Sequence, residues 1–394
     1  MTLLQPIMGK IGILTFHNNE NRGAILQAYS LQKSLDNIFN SDVEIIDYRT
    51  SSKEKARKNE IIISERPWKV VSRYNDHGLI ENFLQEELPI SESSITTDEH
   101  KKAIDWLNKQ EYDIIFTGSD EIWKIPLNHG NGFFSRFYHK RPFPNLYFLD
   151  PEVSATKVAY AASSNETDLE QLSESQRRNL AKLLASYDSI SVRDNHTENL
   201  VDELELKAHR VPDPTLLTEL PIRDVEGLLI ENGINPDEPI LGFHATHNDL
   251  FKKICEEYRK RGFQIISCTN SKYADLELPG KVDPFEYFSV YEYFDMMVTS
   301  SLHSTIFSMK HGNPFVTIDV NEAYSDMESK TFSLLEDCSM LPRHIDAVDN
   351  DSVEFLSQLD RYESQPDIDS INNTLKQQKQ KGINYLRSVK KKYE

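Results

Sequence analysis

Short apolar runs recur along the chain, and each is followed by a polar turn and then by apolar residues at helical spacing. Residues 295–319 (DMMVTSSLHSTIFSMKHGNPFVTID) contain the whole pattern. An apolar run at 296–298 leads into the polar turn at 299–301, the helical spacing begins just after His303, and a second apolar run occupies 314–318. The pattern predicts one βαβ unit with a polar turn at the carboxyl end of its first strand.

The same pattern occurs near the N-terminus and again in the second half of the chain. An apolar run at 11–16 (IGILTF) precedes a polar turn and a helix, and so does the run at 240–243 (ILGF). Ligands of parallel α/β sheets bind at the carboxyl ends of the strands, so polar side chains that follow these runs are candidate site residues. They are His17, Asn18, His244, His247 and His303. Histidine can transfer protons near neutral pH, although a histidine that only satisfies its own hydrogen bonds is the structural alternative.

A further apolar run, 112–116 (YDIIF), leads into a turn that contains Gly118, Ser119 and Asp120. Gly118 allows the backbone to approach a neighbour or a ligand closely. Ser119 and Asp120 are suited either to hydrogen-bond a ligand or to cap the turn that follows. The residues alone leave both alternatives open.

Arg193 ends an alternating strand at 188–192 (DSISV), just before a helical segment. Its planar guanidinium can hold a carboxylate or phosphate through two parallel hydrogen bonds, which makes it a candidate anion-binding residue. An ion pair with Asp194 or another carboxylate is the structural alternative. Asp213 lies between two prolines in 211–217 (VPDPTLL), and these fix an extended path suited to a chain that leaves one domain for another.

The length of 394 residues predicts roughly two domains. The strand and helix alternation stops near residue 215 and restarts at Pro239, so we expect an N-terminal Rossmann-like domain at 8–214 and a C-terminal one at 239–340. The less regular stretch at about 51–110 is interpreted as an insertion in the first domain. The predicted fold class is therefore α/β and GT-B-like, with two Rossmann-like domains facing a central cleft. No G-x-G-x-x-G follows any strand, which disfavours a dinucleotide cofactor.

Charge and composition narrow the classes of function. The formal net charge of −19 argues against broad nucleic-acid binding, since a duplex-binding surface needs concentrated Lys and Arg. No apolar run approaches the ~20 residues of a membrane span, and the N-terminus lacks the pattern of a signal peptide, so a cytoplasmic location is expected. Cys255, Cys268 and Cys338 have no metal-ligand spacing, and we expect neither a disulfide nor a metal site.

The C-terminal segment 366–394 combines apolar positions at helical spacing with many basic residues. The basic residues are Lys376, Lys379, Lys381, Arg387, Lys390, Lys391 and Lys392. Basic amphipathic helices can lie on anionic membranes, which would place the protein peripherally at the inner face of the membrane. The alternative is a helix that crosses back to the N-terminal domain and keeps its basic face in solvent.

Five segments in order resemble the polysaccharide pyruvyl transferase family. They are IGILTFHNNENRGAILQAYSLQ at 11–32, FTGSDEIW at 116–123, SVRD at 191–194, VPDPTLL at 211–217 and SSLHSTIFSMKHGNPFV at 300–316. The resemblance covers about residues 8–335, and the first and last segments are the specific ones. It implies a GT-B-like fold, phosphoenolpyruvate as donor substrate without any cofactor, and transfer of the pyruvyl carbon to two hydroxyls of a sugar as a ketal. The acceptor would be a sugar, a nucleotide sugar or a lipid-linked glycan.

The resemblance also implies roles for individual residues. His303 matches the histidine that the family places as the acid, and Arg193 matches an arginine that grips the donor. The donor carries a carboxylate and a phosphate, which favour contacts at the start of a helix, where Ser301 and Ser304 lie. Some members have Arg at the position of Ser301, and Gly is common at the position of Ser304.

Arg22 and Lys310 are the residues that could supply the charge of that missing arginine. The remaining polar residues at strand ends are interpreted as acceptor or cleft residues. They are His17, Asn18, Ser119, Asp120, Asp213, His244 and His247.

Two other functions remain open from the sequence. A nucleotide-sugar glycosyltransferase would use the same cleft with an acidic base such as Asp120 or Asp213. A non-catalytic sugar-binding protein of the same fold would keep the cleft without turnover.

Overall fold

A computed structural model describes residues 9–62, 67–125, 142–245, 249–319, 328–346, 359–364 and 366–393. The chain divides into two compact units. Unit 1 comprises residues 1–74, 81–218 and 380–394, and unit 2 comprises residues 75–80 and 219–379.

Unit 1 is built on parallel strands that alternate with helices. Its strands and helices up to residue 218, with residues 75–80 of α3 assigned to unit 2, are β1 (Ile11–Leu14), α1 (Arg22–Phe39), β2 (Val43–Arg49), α2 (Ser51–Ile62), α3 (Pro67–Glu87), β3 (Ile90–Thr96), α4 (His100–Asn108), β4 (Ile114–Thr117), β5 (Thr156–Ala162), α5 (Glu174–Leu184), β6 (Ser189–Val192), α6 (Asn195–Glu203) and β7 (His209–Arg210). Within the described residues the strands form one seven-stranded sheet in the order β3-β2-β1-β4-β5-β6-β7, and every pairing is parallel.

The central strands of unit 1 are buried because both faces of a parallel sheet are covered by helices. All four residues of β1 and of β4 are buried, as their continuous apolar runs predict. The helix α1 starts where the Asn21 side chain accepts a hydrogen bond from the Ala24 amide. It ends at Asn40, which has a left-handed conformation (φ 51°) and donates its N–H to the Asp36 carbonyl.

The interpretation of residues 51–110 as an insertion is wrong for residues 90–108. β3 is the edge strand of the sheet and pairs with β2, with Ile90 opposite Ile45 and Ile95 opposite Tyr48. An edge strand pairs with a neighbour on one side only, and β3 (ISESSIT) is polar at five of its seven positions, so it lacks the apolar run of a buried strand. The composition of β3 is therefore not that of a buried strand, and the sequence did not predict it.

Unit 2 repeats the architecture. Its elements, with α12 shared with unit 1, are α7 (Glu226–Glu231), β8 (Ile240–His244), α8 (Asp249–Lys260), β9 (Gln264–Ser267), β10 (Leu276–Glu277), α9 (Pro284–Ser289), β11 (Met296–Thr299), α10 (Leu302–His311), β12 (Phe315–Asp319), α11 (Lys330–Asp337), β13 (His344–Asp346) and α12 (Ile368–Tyr393). The described strands form a parallel sheet in the order β10-β9-β8-β11-β12-β13. The sheet continues past the predicted domain end at residue 340, because β13 has three residues and is too short to give a pattern.

The βαβ unit predicted for residues 295–319 is confirmed as β11, α10 and β12. α10 ends at Gly312, whose left-handed conformation (φ 72°) lets its N–H bond back to the last turn. Glycine adopts this conformation without steric cost. The chain then turns at Asn313 and enters β12 parallel to β11.

The basic C-terminal helix is α12, and its residues from Gln380 onward belong to unit 1. There the Tyr385 hydroxyl donates to the Ala159 carbonyl (3.1 Å), and Leu386 and Val389 are buried. Five basic side chains of the helix are exposed, namely Lys376, Lys381, Arg387, Lys391 and Lys392. The apolar face of this segment is thus covered by protein, and its basic face meets solvent. None of the described helices has the length and apolar content needed to cross a membrane.

Candidate active site

Both sheets have a topological switch point, where the order of the strands reverses. It lies between β1 and β4 in unit 1 and between β8 and β11 in unit 2. Connections leave such neighbouring strands in opposite directions and open a crevice at their carboxyl ends, where ligands of α/β sheets bind. The candidate residues that follow these strands are His17, Asn18, Ser119 and Asp120 in unit 1 and His244, Ser301, His303 and Ser304 in unit 2. His247 lies outside the described residues.

In unit 2 the switch point holds the start of α10. Ser301 is the residue before the helix, and its side chain makes no capping hydrogen bond, whereas its own N–H donates to Thr299 Oγ1 (2.9 Å). The first N–H groups of α10 therefore carry the partial positive charge of the helix without a capping Ser301 hydroxyl. His303 is the second residue of α10, is 7% exposed, and lies against the ring of Phe307 one turn on, with 6.2 Å between ring centroids.

Beneath the start of α10, a chain of buried hydroxyls leads to His244. Nδ1 of His244 is 2.6 Å from Ser304 Oγ and 3.1 Å from the Tyr287 hydroxyl. The Tyr291 hydroxyl donates to Ser304 Oγ (2.7 Å) and is 3.5 Å from Cys268 Sγ. Ser304, expected to touch the donor, is fully buried, and its hydroxyl bonds His244 and Tyr291.

The electrostatics of this cluster keep its groups uncharged at neutral pH. Burial first, and the nearby charge of His303 second, lower the pKa of His244 to about 4. Burial raises the pKa of the Tyr287 and Tyr291 hydroxyls well above their ordinary value. His244 is thus a neutral imidazole beside two protonated phenols.

In unit 1, Arg193 is held by carboxylates. Its side chain is 3% exposed, Nη1 donates to Asp213 Oδ2 (3.1 Å), and Nη2 donates to Asp120 Oδ1 (3.4 Å). Asp213 accepts three further hydrogen bonds, one from Gln27 Nε2 and two from the N–H and hydroxyl of Thr215. Buried Nε of Arg193 has no hydrogen-bond partner among the described residues. The ion pair proposed as the structural alternative therefore exists, and its partners are Asp213 and Asp120 rather than Asp194.

His17 and Asn18 are engaged with other side chains of unit 1. His17 is 1% exposed, and its Nε2 is 3.0 Å from Asp47 Oδ1. Burial alone would raise the pKa of Asp47, but hydrogen bonds from His17 and Arg49 lower it below its ordinary value. The Asn18 side-chain oxygen accepts from Arg57 Nη1, while buried Asn18 Nδ2 has no partner within the described residues. The His17 ring is thus buried and held by a hydrogen bond to a carboxylate.

Ser119 and Asp120 follow a close approach of two backbones. A side chain at Gly118, which has φ 116°, would place its Cβ 2.2 Å from the Tyr160 carbonyl oxygen, so only glycine fits. Asp120 also has a positive φ of 79°. The Ser119 hydroxyl is buried and has no hydrogen-bond partner in the described part of the chain.

The two basic residues expected to replace a missing arginine differ in position. Arg22 is the buried first residue of α1, on the turn after β1. Lys310 lies in the last turn of α10, where its ammonium is 3.7 Å from Glu219. Lys310 comes eight residues after Leu302, a rise of about 12 Å along the helix at 1.5 Å per residue, which places it away from the start of α10 where the missing charge would act.

Sequence patterns missed the partners of these candidates. Tyr287 and Tyr291 lie on α9 and on the 3-10 turn (Val290–Tyr293) after it, away from any strand end. Their spacing of four residues was the available signal, and it did not reveal that they pack against α10. Gln27 likewise lies inside α1 and looked like an ordinary helical residue. Among the described residues, no group of three or more His, Cys, Asp or Glu side chains is arranged to hold a metal ion.

Solved structures similar to this chain have the GT-B-like α/β fold of two Rossmann-like domains. UDP-GlcNAc 2-epimerase from Methanocaldococcus jannaschii in complex with UDP-GlcNAc and UDP has a TM-score of 0.55 and 12% identity, covering 97% of this chain and 99% of that chain. A second structure of the enzyme from that organism has a TM-score of 0.53 and 12% identity, covering 96% and 98% respectively. The S. aureus MnaA–UDP co-structure has a TM-score of 0.50 and 9% identity, covering 93% and 94%. At such identities the likeness shows the fold alone.

Comparison of the sequence with protein-family models identifies one matching family. No curated protein has significant sequence similarity to the chain. The family model described as polysaccharide pyruvyl transferase matches residues 21–322, a span that begins at the turn before α1 and runs past β12.

Proposed function

Because the chain belongs to the polysaccharide pyruvyl transferase family, we propose that it moves the pyruvyl group of phosphoenolpyruvate onto two hydroxyls of a sugar as a ketal. The product would enter a surface polysaccharide or glycoconjugate. The observation that carries this proposal is the family match over residues 21–322, which includes Ser119 and Asp120 of unit 1 and His244 and His303 of unit 2.

The reaction needs a general acid that donates a proton to a carbon atom of the donor. Protonation of the methylene carbon of phosphoenolpyruvate turns it into a methyl group and creates an oxocarbenium-like centre at the carbon that bears the phosphate. One sugar hydroxyl adds to that centre, and the second displaces the phosphate. The two hydroxyls release two protons, so one proton replaces that taken up by carbon and the other leaves on inorganic phosphate.

We assign the acid to His303. Its position at the start of α10, in a buried setting beside a neutral His244, supports this assignment. A neutral neighbour does not repel the proton that His303 must carry. The anionic groups of the donor would be attracted to the partial positive charge of the same helix start, near Ser301.

Arg193 is the proposed cationic contact for a donor anion. Asp213 and Asp120 hold its guanidinium in one orientation, and a group held in advance loses less entropy when it binds. Its Nε–H, which lacks a partner among the described residues, is a hydrogen-bond donor to offer. Arg22 is the second basic candidate in unit 1.

Acceptor recognition is proposed for the polar groups of unit 1. The Asn18 amide and the Ser119 hydroxyl each have a buried polar atom without a partner in the described part of the chain. Such uncharged groups suit the hydroxyls of a sugar. The acceptor would be a free sugar, a nucleotide sugar or a lipid-linked glycan.

The bases considered for a nucleotide-sugar glycosyltransferase are already engaged. Asp213 accepts four hydrogen bonds, and Asp120 contacts Arg193. A carboxylate that accepts several hydrogen bonds is stabilised as the anion and is a weak base. These contacts favour the pyruvyl transferase over the glycosyltransferase.

The test is turnover of the full chain with phosphoenolpyruvate and a panel of sugars, nucleotide sugars and lipid-linked glycans. Release of inorganic phosphate together with a mass gain of one pyruvyl ketal on an acceptor is the expected result. His303→Ala serves as the matched control for background hydrolysis. Binding of sugars without turnover of any pair would instead support the non-catalytic alternative.

A further inference from the structure

We propose that His244 is a second substrate-contacting residue of unit 2, which donates a hydrogen bond from Nε2–H to an oxygen of the bound anionic donor, and that Ser304 is the positioning residue that sets its tautomer. The identity of that donor rests on the proposed function. The tautomer rests on the geometry of unit 2 alone.

The hydroxyls around Nδ1 make this nitrogen an acceptor. The Tyr291 hydroxyl lies closer to Ser304 Oγ (2.7 Å) than to the Tyr287 hydroxyl (3.3 Å), so it donates to Ser304. The proton of Ser304 is then left to point at His244 Nδ1, 2.6 Å away. The hydroxyl of Tyr287 lies 3.1 Å from the same nitrogen. A nitrogen approached by two hydroxyl groups, one with its own oxygen already serving as acceptor, holds a lone pair towards them.

The proton of the ring is then on Nε2. Burial and the charge of His303 lower the pKa of His244 to about 4, so the imidazole is neutral at neutral pH and carries one N–H. Nε2 has no hydrogen-bond partner among the described residues, and the side chain is partly exposed. The ring therefore offers one hydrogen-bond donor that no described residue uses.

The position of this donor fits a substrate contact. His244 ends β8 and pairs in register with Thr299, the last residue of β11, so it lies at the switch point. His303 comes four residues after Thr299, and the next residue, Ser304, contacts His244 directly. An uncharged donor here can stabilise a developing or resident negative charge without competing for the proton that His303 delivers.

The tautomer can be measured without substrate. Nitrogen NMR of the full chain labelled with [15N]histidine distinguishes the two tautomers, and the His244 signal is the one lost in His244→Gln. We expect the Nε2–H form at pH 7. Ser304→Ala should shift the mixture toward Nδ1–H. Ser308→Ala is the matched control, because the buried hydroxyl of Ser308 lies one turn further along α10 and donates to the Ser304 carbonyl (2.8 Å). A dominant Nδ1–H form in the wild type would overturn the assignment.

The contact is measured by calorimetric titration with phosphoenolpyruvate. His244→Ala should weaken binding about tenfold or more, the usual loss for a hydrogen bond to a charged group. His244→Gln should bind within about threefold of the wild type, because its amide nitrogen reaches the place of Nε2. His244→Asn reaches only the place of Nδ1 and should resemble His244→Ala. Thermal melting of each variant checks folding.

The outcomes separate this inference from the proposed function. Equal binding by the wild type and His244→Ala, or equal behaviour of the Gln and Asn variants, would refute the contact while leaving the donor identity intact. A wild type that does not bind phosphoenolpyruvate would remove the proposed donor and the contact together. The nitrogen spectrum would still decide the tautomer.

Discussion

We expect α10 to stay folded when His303 is replaced, because the helix packs through its buried apolar residues and ends at the left-handed Gly312. If His303 delivers the proton to carbon, His303→Ala should lower kcat on the order of 10²–10⁴-fold and leave donor affinity largely intact. Activity should also fall as pH rises, since only the protonated ring can act as the acid. Steady-state kinetics across pH and calorimetric donor binding provide both measurements.

His303→Gln is the informative companion. An amide can donate a hydrogen bond but cannot transfer a proton to carbon, so this variant should be nearly as slow as His303→Ala. Near-parental turnover by His303→Gln would show that the residue only positions the donor. The proton would then have to come from another group.

Arg193 contributes to the stability of unit 1, in addition to its proposed role in binding the donor. Removing it leaves Asp213 and Asp120 without their cation, and breaking a buried ion pair in this way costs about 3–5 kcal/mol of unfolding free energy. We therefore expect Arg193→Ala to lower the stability measured by urea unfolding by about that amount. Asp213→Asn added to Arg193→Ala should recover part of the loss, since it removes one uncompensated charge.

A stable Arg193→Ala protein would contradict this account. The same result matters for binding studies, because the donor contact of Arg193 can only be judged in a folded variant. Arg193→Lys keeps the charge but loses the planar fork, so we expect it to be more stable than Arg193→Ala and still to bind phosphoenolpyruvate more weakly than the wild type.

At the scale of residues, the sequence predicted which side chains follow strands but not what surrounds them. His17 and His244 both lie near the carboxyl end of the first strand of a sheet, His17 three residues beyond β1 and His244 as the last residue of β8. His17 meets Asp47, which comes from a neighbouring strand, whereas His244 meets hydroxyls from α9 and α10. These partners are brought together by tertiary packing, and no local pattern encodes them.

At the scale of elements, Gly382 shows how closely α12 is seated in unit 1. A Cβ at this position would lie 2.5 Å from Leu217 Cδ2 and 2.5 Å from the Tyr160 hydroxyl. Alanine normally favours a helix by about 1 kcal/mol over glycine, but here we expect Gly382→Ala to destabilise unit 1 by about 1–3 kcal/mol. Thermal melting with circular dichroism detects the change.

Gly227 provides the control for that substitution. It lies in α7, and a Cβ added at this position would have no neighbouring atom within 4 Å, so Gly227→Ala should be neutral or slightly stabilising. Equal effects of the two substitutions would mean that α12 is packed less tightly than the contacts of Gly382 indicate.

The strands that were predicted from sequence are the buried ones. Strands covered on both faces, such as β1, β4 and β11, have continuous apolar runs and were found from sequence. The edge strand β3 is polar at five of its seven positions, and β13 has only three residues. Edge and short strands are held by one neighbour and by the sheet as a whole, so their own residues carry little signal.

At the scale of the whole molecule, two largely buried histidines predict how the stability of unit 2 varies with pH. Burial lowers the pKa of His311 to about 4, and the same holds for His244. Both bind a proton more readily when unfolded, so stability is complete above about pH 6.5 and falls as the pH drops towards 4. Each contributes at most about 3 kcal/mol. Urea unfolding between pH 7 and pH 4 should show this fall, and His311→Gln should flatten it.

The distribution of charge along the chain distinguishes α12 from the rest of the protein. The chain carries −19 overall, yet α12 has no acidic residue between Asn372 and Tyr393. Because the apolar residues of its last turns are buried in unit 1, a membrane contact through this helix would have to be electrostatic. Such a contact would weaken with added salt.

α12 also sets the order in which the molecule can be completed during translation. Ala159, Tyr160 and Leu217 leave the ribosome long before residues 380–393, the segment that covers them. Translation at roughly 5–20 residues per second separates the two events by on the order of 10 s. During that interval the surface of unit 1 that α12 will cover is exposed to solvent. We therefore expect a nascent chain, or one that stops before residue 380, to be bound by chaperones and cleaved by proteases more readily than a chain that contains α12.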